Sequence, residues 1–420
     1  MPLSTTQRRR PSAGDERTGL AGRDFLLLLA ATLGTFSNYA PLLSVAPLWS
    51  ARGGSGNAGV GAATGVTMAT TVGVQLCMRW LLRRMSLRRT LVVGALLLGL
   101  PTFAYPLSAG LGWVLAVSAV RGVGFGMVAV AGSALVAELI PAHSRGRAVG
   151  WYGVAVGLPQ VLCLPLGVWL AEHIGFTPVF LAAGALSVLA APLAAAIRTR
   201  PRPEGPSGNR AAKSDEVPLR PFGRPFTVLI TAACALGGVT SFLPLALSEP
   251  SAAPVALFLL SGAVVVGRWV AGVFSDRAGT GRLLVPSVLA CVVGMGGFGL
   301  ATAPFGYGAV LSAAAAVVYG LGFGALQNDT LVIMFRRAGP HGHGAASTAW
   351  NMAYDAGTGI GAVAVGLTSH ALGVDGSFTA AAVLILLAAP LALRDARTEH
   401  RSGDPSADER QAETPTHMPQ

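Results

Sequence analysis

Twelve apolar stretches, six on either side of an Arg- and Pro-rich segment, constrain this 420-residue chain more than any other feature. They lie near 25–48, 57–82, 91–109, 113–138, 148–171, 178–196, 226–247, 254–275, 283–303, 306–333, 345–370 and 375–393. A nearly charge-free run of about 20 residues crosses a hydrocarbon core as a helix, since only helices and closed barrels satisfy every backbone polar group away from water. The expected architecture is an all-α membrane protein with twelve transmembrane helices in two six-helix, pseudo-symmetric halves. Composition agrees, because 52% hydrophobic and 12% charged residues leave too little charge to cover a soluble surface.

The divisions that follow are an N-terminal arm at 1–24, a six-helix bundle at 25–197 and a linker at 198–225. A second bundle occupies 226–393, and a polar, disordered tail occupies 394–420. The first apolar run is too long for a signal-peptide core and follows a polar arm, so it is read as a retained helix.

The formal net charge of +11 raises the question of a nucleic-acid partner. The distribution of charge argues against one. Of 30 Lys and Arg, all but Arg52, Arg121 and Arg268 fall on one side of the bilayer if both termini are cytoplasmic. That asymmetry orients membrane proteins and needs no acidic ligand. Lys213 is the only lysine. Such an Arg bias points to a GC-rich bacterial genome and hence to a bacterial plasma membrane.

The halves repeat. Gly122, Gly124, Gly126 and Gly146 recur 198 positions later as Gly320, Gly322, Gly324 and Gly344, and Arg79-Trp80 echoes Arg268-Trp269. Glycines inside apolar helices read first as sites of close helix approach. Two repeated halves also suit a transporter that rocks them about a central site.

At the end of the eighth stretch the chain reads Gly272-Val-Phe-Ser-Asp276-Arg277-Ala-Gly279-Thr-Gly-Arg282. This resembles the loop motif of the major facilitator superfamily, and with the 6+6 layout the resemblance covers nearly the whole chain. In wording the chain looks like bacterial drug and sugar efflux permeases, on RGVGFG, SRGRAVGWYG, GLGFGALQND and WNMAYDAG. The resemblance implies a gate built from Gly272, Asp276, Arg277, Gly279 and Arg282, with Arg268 as a partner for Asp276. The chain departs from the family in the second loop, where Arg83 stands near the place of the family's Asp. In the fifth stretch Gly153, Gly157, Pro159 and Gly167 are present without a Gly-Pro pair.

Ionisable residues within a span are functional candidates, because burying them in lipid is costly. Asp355 lies about ten residues into the eleventh stretch, roughly 15 Å deep at about 1.5 Å per residue, where an acid is a natural proton carrier. Asp329, beside Gln327 and Asn328, is the second candidate for proton coupling, with Arg336 and Arg337 as alternative partners. Arg121 lies about two turns inside the fourth stretch and is read as an anion contact or a fixed counter-ion. Asn38, Tyr39, Gln160, Gln327, Asn328, Trp350, Asn351 and Tyr354 complete the expected substrate cavity with Arg121. Asn351 and Asp355, four apart, share one helical face.

No Walker loop, His/Cys metal spacing or Ser-His-Asp order is legible, and Cys77, Cys163, Cys234 and Cys291 all fall within spans. The expectation is therefore no enzyme, no cofactor and no metal. It is a monomeric secondary transporter whose partners are a small-molecule substrate, protons and the lipid bilayer, with no nucleic acid. Proton-coupled efflux of a small amphipathic compound is the leading reading. The alternatives are an uptake symporter for a sugar or organic anion, and a non-transporting receptor or scaffold.

Overall fold

The computed structural model describes residues 20, 22–141, 144–198, 220–249, 251–303, 308–339 and 342–402. Most of the expected arm (1–24), linker (198–225) and tail (394–420) therefore lies outside the described residues.

Six helices form the first half: α1 (Arg23–Arg52), α2 (Asn57–Arg84), α3 (Leu87–Gly99), α4 (Leu111–Leu139), α5 (Arg145–His173) and α6 (Phe176–Ala195). Six more form the second: α7 (Gly223–Ala246), α8 (Ala252–Ala278), α9 (Leu284–Thr302), α10 (Gly308–Ala338), α11 (343–372) and α12 (374–402). Between the last two, Gly373 adopts φ +71, a left-handed conformation that breaks the helix and lets the chain turn back. Near the third stretch the α-helix tightens into a 3-10 helix at Leu100–Leu107. Pro101 and Pro106 lack the N–H that an α-helical bond requires. With α3 counted together with its 3-10 extension and α11 with α12 as one run, eleven spans among the described residues are long and apolar enough to cross a membrane. The face that carries the start of α1, the end of α6 and the start of α7 is here called basal, and the opposite face distal.

Two expected boundaries move. The sequence places the tail from 394, but α12 continues to Ser402. The reason is an ion cluster at its basal end. Asp395, fully buried, accepts from Arg337 at 2.8 Å and faces Arg224 at 3.5 Å. Glu399 holds Arg336 at 3.1 Å and Arg337 at 3.3 Å, while Arg337 also donates to the Pro221 carbonyl at 3.1 Å. With both acids buried and paired, these contacts dock the last turns of α12 on α7 and α10. The linker likewise ends sooner than 225, since a 3-10 turn at Arg220–Phe222 leads into α7. At its other margin, the Arg198 N–H donates to Asp24 at 3.1 Å.

The sequence repeat is a repeat of packing. Gly122 and Gly126 put α4 against Thr67, Thr70 and Thr71 of α2, and Gly124 faces Gly94 and Leu98 of α3. In the second half Gly320 and Gly324 put α10 against Leu260, Val264 and Arg268 of α8, and Gly322 faces Ser287 and Cys291 of α9. In each triplet the outer two glycines lie one turn apart on one face and the middle one points elsewhere. A side chain at any of the six would collide with neighbouring backbone, so close approach is their role.

The halves meet where α2 packs on α11, α5 on α8 and α1 on α7. On the distal side the seam is hydrogen-bonded. Ser44 donates to the Thr240 carbonyl at 2.5 Å, Thr64 and Ser241 share a bond of 3.0 Å, and Asn57 donates to Ser369 at 3.0 Å. Gly61 and Gly65 of α2 lie against Ala362 and Val363 of α11. Basal to this seam, a cleft lies between Gln75, Ala129, Val130 and Ser133 on one half and Ser347, Thr348 and Asn351 on the other. The distal side is closed.

Candidate functional site

Asp355 lies at the basal end of that seam. Its side chain is 4% exposed, and Oδ2 accepts a hydrogen bond from Gln75 Nε2 of α2 at 2.6 Å. The bond crosses between the halves. A buried carboxylate gripped by one neutral amide is expensive as an anion. Gln75 escaped sequence reading because it is an uncharged residue in a run of mixed polarity. The available signal was an amide deep in a lipid-spanning helix. Asn351, one turn before Asp355, shares the cleft with Gln75, but its Nδ2 is spent on the Ser347 carbonyl at 2.8 Å.

Arg121 is the other deep charge, 2% exposed, and its partners are neutral. Nε donates to Thr102 at 3.1 Å, Nη1 to the Tyr105 hydroxyl at 3.2 Å and Nη2 to Asn38 Oδ1 at 3.1 Å. Asn38 Nδ2 closes the ring onto Thr102 at 3.1 Å, and Tyr105 shares a bond with Ser118 at 2.8 Å. Side chains from α1 and the 3-10 helix thus fix one guanidinium carried by α4, and among the described residues no carboxylate pairs with it. Asn38 is buried in this network. Tyr39, stacked on Phe125 with ring centroids 3.6 Å apart, lines a small pocket with Arg121, Thr64, Thr67 and Met68. Its position places it within electrostatic reach of both Arg121 and Asp355.

The aromatic members gather on α11. Trp350 donates Nε1 to Thr330 at 3.2 Å and stacks on Tyr354, whose ring tilts against Phe323. The Arg268 guanidinium stands over Trp350, 5.8 Å from the ring centroid. Such cation–π contact gives Arg268 a partner other than the expected Asp276. The side chain of Asp276 lies outside the described residues. Gly272 lies within α8 near Asn328, and Gly279 (φ +93) and Gly281 (φ +84) turn the loop in conformations that favour glycine. Arg277 and Arg282 are exposed, and Gly281 rests on Glu399. The loop is thereby coupled to the basal ion cluster.

Asp329 does not join Asp355. It is buried against the Leu283 backbone, where α9 begins, and neither carboxylate oxygen closes a hydrogen bond. Arg336 and Arg337, its alternative partners, are taken by Asp395 and Glu399. Gln327 Oε1 and Asn328 Nδ2 are likewise buried without partners. Gln160, on α5, is half-buried and forms no hydrogen bond with the other expected cavity residues.

Similarity to known proteins agrees with this geometry. Solved structures with the same fold include a bacterial homolog of the human lysosomal transporter Spinster in an inward-facing, occupied conformation. It is 16% identical over 91% of this chain and 98% of that one, with a TM-score of 0.72. A D-xylose–proton symporter is 16% identical over 88% and 96%, with a TM-score of 0.69. The nucleoside transporter NupG is 13% identical over 89% and 98%, with a TM-score of 0.68. No curated protein sequence matches the chain. The family profile described as Major Facilitator Superfamily matches residues 25–362, and with twelve helices in two repeated halves around a central polar seam, the chain belongs to that superfamily of membrane transporters.

Proposed function

We propose that this protein is a proton-coupled exporter of a small amphipathic compound. It works as a monomer in the bacterial plasma membrane, with the basal face and both termini cytoplasmic. The observation that carries the reading is Asp355, a buried acid at the boundary between the closed distal seam and the basal cleft, held only by a neutral amide. A carboxyl there can take a proton when one face opens and release it through the other. Its charge then biases which face is open, and a differential of a few kcal/mol suffices to shift a two-state equilibrium. Trp350, Tyr354 and Tyr39 supply aromatic surface near Asn351 and Asp355, a lining suited to an amphipathic ligand. The arginine asymmetry supports the orientation.

Uptake symport of an organic anion has one observation in its favour: Arg121 lines the pocket beside Tyr39 with no carboxylate to balance it. The two readings part in a single assay. Proteoliposomes with an imposed pH gradient, screened against amphipathic and anionic compounds, should show substrate-dependent proton movement that Asp355→Asn abolishes. Movement of substrate against the proton supports export, and movement with it supports uptake. Proton flux that survives Asp355→Asn would remove Asp355 from the coupling role.

A further inference from the structure

The amide that grips Asp355 is only half used. Gln75 is 4% exposed, its Nε2 donates across the seam to Asp355 Oδ2 at 2.6 Å, and its Oε1 is buried with no hydrogen-bond partner. An orphaned buried acceptor costs on the order of 1–3 kcal/mol. It is an acceptor waiting for a donor, and the group beside it acquires an O–H only when it is protonated.

We propose that Gln75 is the positioning residue that converts the protonation of Asp355 into the strength of the contact between the halves. With Asp355 ionised, one bond joins the side chains and Gln75 Oε1 stays empty. With Asp355 protonated, its carboxyl O–H donates to Gln75 Oε1 while Nε2 still donates to the other carboxyl oxygen. Acid and amide then form a ring of two hydrogen bonds. The proton is held between α2 and α11, the helices whose seam closes the distal side. The protonated protein therefore favours the distal-closed arrangement, and release of the proton to the basal cleft loosens it.

The surroundings leave this pair to itself. Tyr39 of α1 and Tyr354 of α11 are within electrostatic reach of Asp355, Arg121 of α4 is within reach of Tyr39, and Arg268 of α8 is within reach of Tyr354 and stands over Trp350. Gln75 is the one side chain hydrogen-bonded to Asp355 among the described residues. Arg79 follows Gln75 by one turn on α2, with its side chain outside the described residues. From α7, Cys234 lies against Gly357 and Gly361 of α11.

The inference rests on Asp355 as the proton-carrying acid, and the test separates the two claims. Spin labels on Gly112→Cys and Val310→Cys, exposed at the distal ends of α4 and α10, report distal opening in a cysteine-replaced background. Pulsed distance measurements without substrate are made from acidic to alkaline pH. In the otherwise unsubstituted protein the distal-open to distal-closed ratio should rise about tenfold toward alkaline pH, the effect of about one net buried hydrogen bond. Gln75→Met keeps the length of the side chain and removes both polar atoms, and should reduce the response to about twofold or less. Asp355→Asn supplies an N–H to Oε1 permanently, so it should stay distal-closed at every pH. If Gln75→Met does not fold, that locking by Asp355→Asn still tests the ring, and a distal-open Asp355→Asn would overturn it. A full pH response in Gln75→Met, lost in Asp355→Asn, would overturn the role of Gln75 and leave Asp355 as the proton site. A response intact in Asp355→Asn, or absent from the unsubstituted protein, would overturn both.

Discussion

The two halves carry the same glycine triplet at the centre of α4 and α10, yet the residue before it differs: Arg121 in the first half and Tyr319 in the second. Around both, the glycines bring the helix onto its neighbours in the same way. The side chains then do unlike things. Arg121 binds Asn38, Thr102 and Tyr105 and faces the pocket beside Tyr39. Tyr319 is buried and donates one bond to the Ala232 carbonyl of α7 at 2.6 Å, stacked on Phe323. Packing is what the repeat shares, and charge is where the halves part. The first half holds a fixed cation among neutral groups, and the second holds the acids Asp329 and Asp355.

That contrast can be broken by substitution. The largest effect is expected from Arg121→Leu, which leaves Asn38 Oδ1, Thr102 and Tyr105 without their shared donor. Bonds to a charged group contribute about 1.5–3 kcal/mol each, so a loss of about 3 kcal/mol or more should appear in thermal unfolding of the purified protein in micelles. A loss below about 1 kcal/mol would mean that the network is not a structural hub.

Gly122→Ala and Gly320→Ala come next. In each the new methyl meets backbone, Thr67 in the first half and Leu260 in the second. Overpacking of this kind costs about 1–3 kcal/mol. Equal losses by the same unfolding measurement would sharpen the claim that packing is shared, and a loss in one half alone would break it.

Tyr319→Phe removes a single hydroxyl and should cost about 1 kcal/mol, well under its repeat partner. The two values measured side by side give the asymmetry directly. The smallest effect belongs to Gly146→Ala and Gly344→Ala, where nothing lies within 4 Å of the new methyl. Helical glycine gives way to alanine favourably by about 0.5–1 kcal/mol, so both variants should melt at or slightly above the parent temperature.

Much of this was legible along the chain. The count of spans and the repeat follow from hydropathy and spacing, which are properties of single helices. Gln75 was not legible, because a glutamine in α2 acquires meaning only when α11 lies opposite it. The end of α12 is hidden in the sequence for a similar reason. Arg394 to Ser402 reads as a polar tail until Arg336 and Arg337, some sixty residues earlier in the chain, are seen to neutralise Asp395 and Glu399.

The amino-acid sequence by itself determined that this chain lives in a bilayer as two sets of six helices. Apolar runs of that length can hide their backbone in no other way, and the repeated glycines set how closely α4 and α10 approach their neighbours. Only the tertiary structure decided which buried polar groups meet. It separated Asp329 from Asp355, enclosed Arg121 in neutral donors and acceptors, and set Gln75 against Asp355 across the seam. Such pairings depend on the angle and register of helices far apart in the chain, which hydrophobic spacing leaves open.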